Sequence, residues 1–254
     1  MNDPARHSFG LRFWLVTLLA LALTMATASL GWWQLSRAAQ MRAMQAAIDE
    51  RQAMAPLDEA DLLHARPDGA ALLHFRVRLR GQWLPEATVY LDNRQMQGRP
   101  GFFVLTPLRL PGSPDAVLVQ RGWVARDFQE RTHLPDIATP AGEVQVEGRL
   151  AGPPARLFEF QPSGAGQGSS RIRQNLDLVA YGAERGLDLL PLTVVQTGSA
   201  SDGLRRDWAP IDSGVAKHYG YAFQWFGLCG LVVILYVWFQ LVRRFFSPGR
   251  QHRA

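Results

Sequence analysis

Two long apolar runs dominate the pattern of hydrophobic and polar positions, one near each end of the chain. The first has no formally charged residue from 13 to 33, and the second has none from 219 to 242. A helix needs about 20 apolar residues to cross the hydrocarbon core of a bilayer. We therefore predict transmembrane helices over residues 13–33 and 217–242. Aromatic residues near both ends of the second run are typical of membrane interfaces.

The first run could also be a cleaved secretory signal, because basic residues precede it and it ends in Ala26-Thr27-Ala28. The apolar region of a signal peptide is about 7–15 residues long, whereas this run is longer and continues past the possible cleavage site. Its length favours a retained helix. Residues 32–55 contain no glycine or proline, so the helix should continue beyond the membrane until Pro56.

The region between the two runs has the alternating pattern of β-strands. In residues 73–80 apolar and polar positions alternate strictly, with Val77 and Leu79 on one face and Arg76 and Arg78 on the other. This alternation predicts a half-buried antiparallel strand. Similar stretches separated by turn residues predict further strands at 88–92, 102–110, 116–124, 144–150 and 189–196. Their spacing is typical of a meander or a small barrel.

Turn and cap signals complete the predicted fold. Residues 56–71 resemble a polar connector, and the glycines and proline of 97–101 predict a turn. Asn175 is expected to cap a short helix over 176–185, which Gly186 would end. The expected fold class is membrane-anchored α+β: two transmembrane helices flank an antiparallel, β-rich, barrel-like soluble domain with a short helix, over residues 34–216.

The formal net charge of +5 lies in two short tails, residues 1–12 and 243–254. Their charged residues are Asp3, Arg6, Arg12, Arg243, Arg244, Arg250 and Arg253. The other 21 basic and 21 acidic residues cancel. Basic tails beside transmembrane helices favour the cytoplasm, so we expect both termini to be cytoplasmic and the domain to lie outside. A nucleic-acid interface would need a basic stripe on the domain, and this balance argues against one.

The sequence contains few candidates for catalysis. A serine-hydrolase GxSxG motif is absent, and Cys229, the single cysteine, falls in the middle of a predicted transmembrane helix. The glycines of the loop lack the GxGxxG spacing of a phosphate-binding motif, and three histidines lack metal-ligand spacing. These residues are Gly164, Gly166, Gly168, His64, His74 and His133. We therefore predict a protein that is not an enzyme.

His218 stands out because it lies where the second predicted helix leaves the membrane. Tyr221, Ala222 and Trp225 follow at helical spacing on the same face. An imidazole at this depth can bind heme iron while a porphyrin lies against aromatic side chains. The alternative is a polar residue that ends a helix at the interface, with Trp225 as an ordinary interfacial anchor. Position alone leaves both interpretations open.

Several short motifs follow one another along almost the whole chain. They begin with GWWQLSR at 31–37, at the exit of the first helix. In the domain they are NR at 93–94, GRPGF at 98–102, TPL at 106–108, VQRGWV at 119–124 and EGRL at 147–150. The set ends with HYGYAFQWF at 218–226, which contains His218. In this order and spacing, the motifs resemble the Surfeit-locus (Surf/Shy) family of cytochrome c oxidase assembly proteins.

The resemblance implies a multi-pass protein of the plasma (inner) membrane whose domain is periplasmic. It also implies an assembly factor for cytochrome c oxidase that binds heme a transiently and assists its insertion into subunit I. His218 matches the histidine proposed to bind the heme iron in bacterial members. Trp225 would form a wall of the heme site, and Tyr221 would contact the ring.

A second hypothesis keeps the assembly role without heme. The chain would then be a scaffold that docks on oxidase subunit I or on heme a synthase through its β domain, with Arg94, Arg121 and Trp123 as the docking surface. The competing interpretation of two of these residues is structural, because a tryptophan more often packs in a core and Arg121 could hold a strand in place.

Overall fold

The computed structural model of the chain describes residues 10–64, 66–127, 129–130, 134–158, 170–199, 202–209 and 214–243. The candidate glycines 164, 166 and 168 and His133 lie outside the described residues. The chain divides into two compact units. One comprises Met1–Ala46 with Ile211–Ala254, and the other comprises Ala47–Pro210.

The first unit is built on two long helices. Helix α1 covers Leu11–Ala53, so the predicted extension to just before Pro56 is confirmed. The last helix, α4, covers Val215–Tyr236 and continues as a π-helical segment over Val237–Val242. Both are long and apolar enough to cross a membrane, as the two runs predict.

The second unit contains a closed barrel. Its strands are β1 Arg76–Trp83, β2 Val89–Met96, β3 Arg99–Arg109, β4 Asp115–Ala125, β5 Glu143–Ala151, β6 Ile172–Arg173 and β7 Asp188–Gln196. Five of them form a ring in the order β1-β5-β7-β4-β3, and β1 pairs again with β3 through Gln82↔Arg109 and Trp83↔Leu108. Strands β2 and β6 extend the sheet beyond β3. Of the two predicted alternatives, the small barrel is therefore the one observed.

The predicted alternation of β1 is confirmed where the strand forms. Val77, Leu79, Gly81 and Trp83 are buried and the residues between them are exposed, as expected for a strand with one face in the core. The strand begins at Arg76 and not at residue 73. Just before it, His74 has a φ of 75°, a left-handed conformation that interrupts the extended chain.

Several local predictions need correction. Asp177, not Asn175, caps helix α3 (Leu178–Arg185), and its carboxylate accepts hydrogen bonds from the amides of Val179 and Ala180. The Asn175 amide instead bonds the backbone of Leu157. The polar connector contains a short helix, α2, at Glu59–His64. The strand pair β4–β7 is parallel, whereas most pairs in the sheet are antiparallel as predicted.

Other local predictions are confirmed. Gly186 ends α3 with a φ of 63°, the left-handed conformation that favours glycine after a helix. The turn predicted at 97–101 is confirmed at Gln97 and Gly98, which have positive φ at 50° and 75°, whereas residues 99–101 belong to strand β3. Positive φ at both central residues is the geometry of a tight two-residue turn.

Candidate functional site

The contact between α1 and α4 follows a regular spacing of three and four residues on each helix. This spacing produces one continuous seam along two packed helices. We define the α1–α4 seam by the more buried positions of the two helices. On α1 they are Thr17, Thr24, Gly31, Gln34 and Ala38, and on α4 they are His218, Ala222, Trp225, Cys229 and Tyr236.

Small residues bring the two helices together near the middle of the seam. A Cβ added to Gly31 would lie 2.8 Å from Cζ of Phe226, so a larger residue at 31 would require that ring to move. Cys229 Sγ lies 3.7 Å from the carbonyl oxygen of Thr24. Small residues at such crossings let helix backbones approach closely in a membrane.

His218 lies in the first turns of α4 and contacts the opposite helix. Its Nδ1 is 2.8 Å from Oε1 of Gln34. The imidazole is partly buried, whereas Gln34 is buried. An amide oxygen can only accept a hydrogen bond, so Nδ1 must donate it. In the neutral ring the lone pair then belongs to Nε2, which has no hydrogen-bond partner among the described residues.

The aromatic candidates are arranged around this histidine in different ways. Trp225 is partly buried and lies on the seam, and Tyr221 is 51% exposed and lies off it. Trp32 and Trp33, on α1, are 70% and 58% exposed. Ala222, which the sequence places on the same helix face as His218, is buried at 2% exposure.

A basic residue of the opposite helix, Arg42, contacts Tyr219, the residue after His218. The guanidinium of Arg42 bonds the hydroxyl of Tyr219, and its carbon lies 5.3 Å from the centre of the tyrosine ring. Such cation–π contacts hold a charged group against an aromatic face. This end of the seam therefore combines an imidazole, a guanidinium and several aromatic rings, a set of groups suited to a planar, anionic, iron-containing molecule.

The other two described histidines offer no comparable arrangement. His64 Nδ1 bonds the carbonyl oxygen of Ala60 in its own helix, 2.6 Å away. His74 Nδ1 is buried and has no hydrogen-bond partner in the part of the chain that the structure describes, and burial together with Arg149 and Arg51 lowers the pKa of its imidazole. Among the described residues, no three His, Cys, Asp or Glu side chains are grouped to hold a bare metal ion.

The proposed docking surface on the β domain is wrong, because its three residues are buried. Arg94 is 6% exposed, Arg121 2% and Trp123 1%. Trp123 Nε1 donates to the carbonyl oxygen of Arg94 at 2.8 Å, and the carbon of the Arg121 guanidinium lies 4.8 Å from the centre of the Trp83 ring. The structural interpretation of these residues is therefore the correct one.

Arg121 belongs to a buried charge cluster that also contains Asp202 and Arg206. It donates to Thr139 Oγ1 and Ala138 O, both at 2.7 Å, and to Asp202 Oδ2 at 3.1 Å. Arg206 Nη2 donates to the same carboxylate oxygen at 2.7 Å. Burial lowers the pKa of Arg121, and the charge of Asp202 opposes that shift.

Sequence reasoning missed Gln34, although it lies within the GWWQLSR motif. The signal that could have identified it is the position of an uncharged polar residue among small and apolar ones at three-and-four spacing. In α1 that spacing leads from Gly31 through Gln34 to Ala38. A polar side chain on such a face needs a partner on the opposite helix.

Comparisons with known proteins agree with this architecture. A model of the SURF1 family matches residues 21–230, which include the whole barrel and parts of both long helices. A SURF1-like protein of Rickettsia felis is 25% identical over 228 residues, which cover 82% of this chain and 89% of that protein. A SURF1-like protein of Rickettsia bellii is 26% identical, with 87% of each chain covered.

The yeast cytochrome oxidase assembly protein SHY1 is also similar. It is 27% identical over 165 residues, which cover 63% of this chain and 41% of the yeast protein.

Proposed function

The chain belongs to the SURF1 family, and from this premise we propose that it is an assembly factor for cytochrome c oxidase which holds heme a and assists its insertion into subunit I. The assembly role is supported by the name of the yeast relative. The heme role is supported chiefly by one observation, the imidazole of His218 with Nδ1 bound to Gln34 and Nε2 left with a lone pair.

The residues at this end of the seam suit heme a as a cargo. When bound, its iron would accept one axial nitrogen, and Nε2 of His218 is in the form that can supply it. Trp225 and Tyr221 offer aromatic faces for the macrocycle, and the Arg42 guanidinium offers a positive charge for a carboxylate. A site with a single protein ligand favours binding that can be reversed, which delivery to another protein requires.

We place the helices in the inner membrane, with both tails in the cytoplasm and the β domain in the periplasm. The support is the charge pattern, because six arginines and one aspartate occupy the two tails. Subunit I is the expected partner, and heme a synthase is a second candidate because it would supply the cargo.

The test is the heme content of the full chain, purified in detergent from cells that make heme a. Wild-type protein should show a Soret band with about one heme per chain, and His218→Ala should lose most of it, because removing an axial ligand removes the main specific contact. His64→Ala is the matched control, since that histidine is bonded within its own helix.

Equal heme content in wild type and His218→Ala would exclude His218 as the ligand. Oxidase assembly in the same cells separates the scaffold alternative from heme handling. A scaffold that holds no heme would support full assembly with His218→Ala, whereas a heme carrier would not.

A further inference from the structure

The hydrogen bond between Gln34 and His218 determines which nitrogen of the imidazole can bind a metal. A neutral imidazole carries one N–H, on either Nδ1 or Nε2, and only the other nitrogen has a lone pair for a ligand. Gln34 Oε1 lies 2.8 Å from Nδ1 and is an acceptor, so the N–H is on the side that faces α1. Nε2 is therefore the nitrogen with the lone pair, on the other side of the ring.

We propose that Gln34 is the positioning residue of the heme site, which fixes His218 in the Nδ1–H tautomer and directs Nε2 towards the iron. This inference rests on the proposed function, because it concerns the same histidine. It assigns a role to α1, which contributes the residue that prepares the ligand, whereas the ligand itself belongs to α4.

The structure around Gln34 holds its side chain in one place. Gln34 is buried, one turn beyond the close contact of Gly31 with Phe226, and Ala38 one turn further on is fully buried. A buried amide loses its hydrogen bonds to solvent and needs a partner in the protein. For the Gln34 oxygen that partner is the Nδ1–H of His218.

The same hydrogen bond also changes how strongly Nε2 of His218 donates to a metal. An N–H that donates to an oxygen makes the opposite ring nitrogen more basic, and residues that orient a metal-binding histidine contribute roughly 10- to 100-fold to metal affinity. Leucine at position 34 would keep the volume and remove the acceptor. Glutamate would keep the acceptor and add charge, which strengthens the effect.

The first experiment reads the tautomer in the full-length protein without heme. The chain is labelled with ¹⁵N-histidine in bicelles, and the His218 signals are assigned by their loss in His218→Ala. In the neutral imidazole of wild type the spectrum should show the Nδ1–H form. Gln34→Leu should shift the population towards Nε2–H. Gln40→Leu is the matched control, because Gln40 is exposed and bonds Arg37 on its own helix.

An Nε2–H form in the wild type would overturn the proposal, since it would mean that the amide nitrogen of Gln34 faces the ring. An unchanged tautomer in Gln34→Leu would overturn it as well.

The second experiment measures the dissociation constant for ferric heme a and the resonance Raman spectrum of the ferrous complex. We expect Gln34→Leu to weaken binding roughly 10- to 100-fold. Unlike Gln34→Leu, Gln34→Glu should keep the affinity for heme a. It should also raise the frequency of the iron–histidine stretch, because a carboxylate acceptor strengthens the donation from Nε2. Gln40→Leu should match wild type in both measurements.

The outcomes distinguish a failure of the proposed function from a failure of the role assigned to Gln34. If His218→Ala binds heme a as well as wild type does, the proposed function fails and the role of Gln34 fails with it. If His218→Ala loses the heme while Gln34→Leu keeps wild-type affinity and frequency, only the role of Gln34 is overturned.

Discussion

The barrel and the helix pair both bury polar side chains, but they differ in what those side chains have left to bind. In the barrel unit, one oxygen of Asp202 accepts from both Arg121 and Arg206, and the terminal nitrogens of Arg121 also bond Thr139 and the backbone. On the α1–α4 seam, His218 has a single hydrogen-bond partner among the described residues and retains a ring nitrogen with a lone pair.

This difference separates structural polar groups from candidate binding groups. A buried charge cluster whose hydrogen bonds lie within one domain is expensive to disturb, and its members are not available to a partner. Arg121 Nε also has no hydrogen-bond partner among the described residues, but it is buried, whereas His218 is only partly buried. Arg121 therefore belongs to the fold, whereas His218 remains a ligand candidate.

The largest expected effect comes from removing the carboxylate of the barrel cluster. Asp202→Asn keeps the shape but leaves the buried guanidiniums of Arg121 and Arg206 without a counter-charge. Removing one partner of a buried ion pair destabilises proteins by about 3–5 kcal/mol. We expect a lower free energy of unfolding by this amount, measured from urea denaturation of the full chain by tryptophan fluorescence.

Glu147→Gln is the matched control for this substitution. Glu147 pairs with Arg78 at 3.0 Å, but their side chains are 49% and 58% exposed. Exposed ion pairs contribute less than about 1 kcal/mol. If the two substitutions reduced stability equally, the buried cluster would contribute no more to the fold than an exposed ion pair does.

This cluster also illustrates what sequence could and could not predict. Local patterns predicted the alternation of β1, the turn at Gln97 and Gly98, and the end of α3 at Gly186, because each depends on neighbouring residues. Burial of Arg121 depends on Asp202, which is distant in sequence and follows a different strand. Composition gave no sign that a loop carboxylate would reach that arginine, so a docking role remained open.

The strand pairing that closes the barrel and the pairing of residues on the seam could not be predicted from the sequence, for the same reason. The pairing of β1 with β3 and the parallel pairing of β4 with β7 join strands that are not neighbours in the chain. His218 could be selected from its position at the start of a long apolar helix. Gln34 could not be paired with it, because the register between two distant helices follows from packing around Gly31.

A smaller loss of stability is expected when a larger side chain on α1 pushes the two helices of the seam apart. Gly31→Leu places a side chain where the Phe226 ring lies, and overpacking costs about 1–3 kcal/mol. The contact of Cys229 with Thr24 provides an assay, since Thr24→Cys places two cysteines at the same level. In that background we expect Gly31→Leu to slow disulfide formation by roughly tenfold.

Two further variants test whether the contact between residue 31 and Phe226 causes the slower disulfide formation. Gly227→Leu is the control, because a Cβ at Gly227 would meet nothing within 4 Å. Phe226→Ala should restore cross-linking to Gly31→Leu by emptying the space that the leucine needs. Rapid cross-linking in the Gly31→Leu protein itself would show that the helices do not depend on this close approach.

The smallest expected effect concerns a hydrogen bond that joins the two helices at the far end of the seam from His218. Tyr236 Oη lies 3.0 Å from Thr17 Oγ1, and the Thr17 hydroxyl already donates to the carbonyl of Phe13, so the tyrosine is the donor. Such bonds between membrane helices contribute about 0.6 kcal/mol on average. A double-mutant cycle of Tyr236→Phe and Thr17→Val, read by the same cross-linking rate, should give a coupling of about threefold.

Thr27→Val is the control partner, because the Thr27 hydroxyl bonds only carbonyls of its own helix, so its effect should add to that of Tyr236→Phe without coupling. Equal coupling for both threonines would mean that the far end of the seam is not held by this bond, and that polar residues on the seam act mainly near His218.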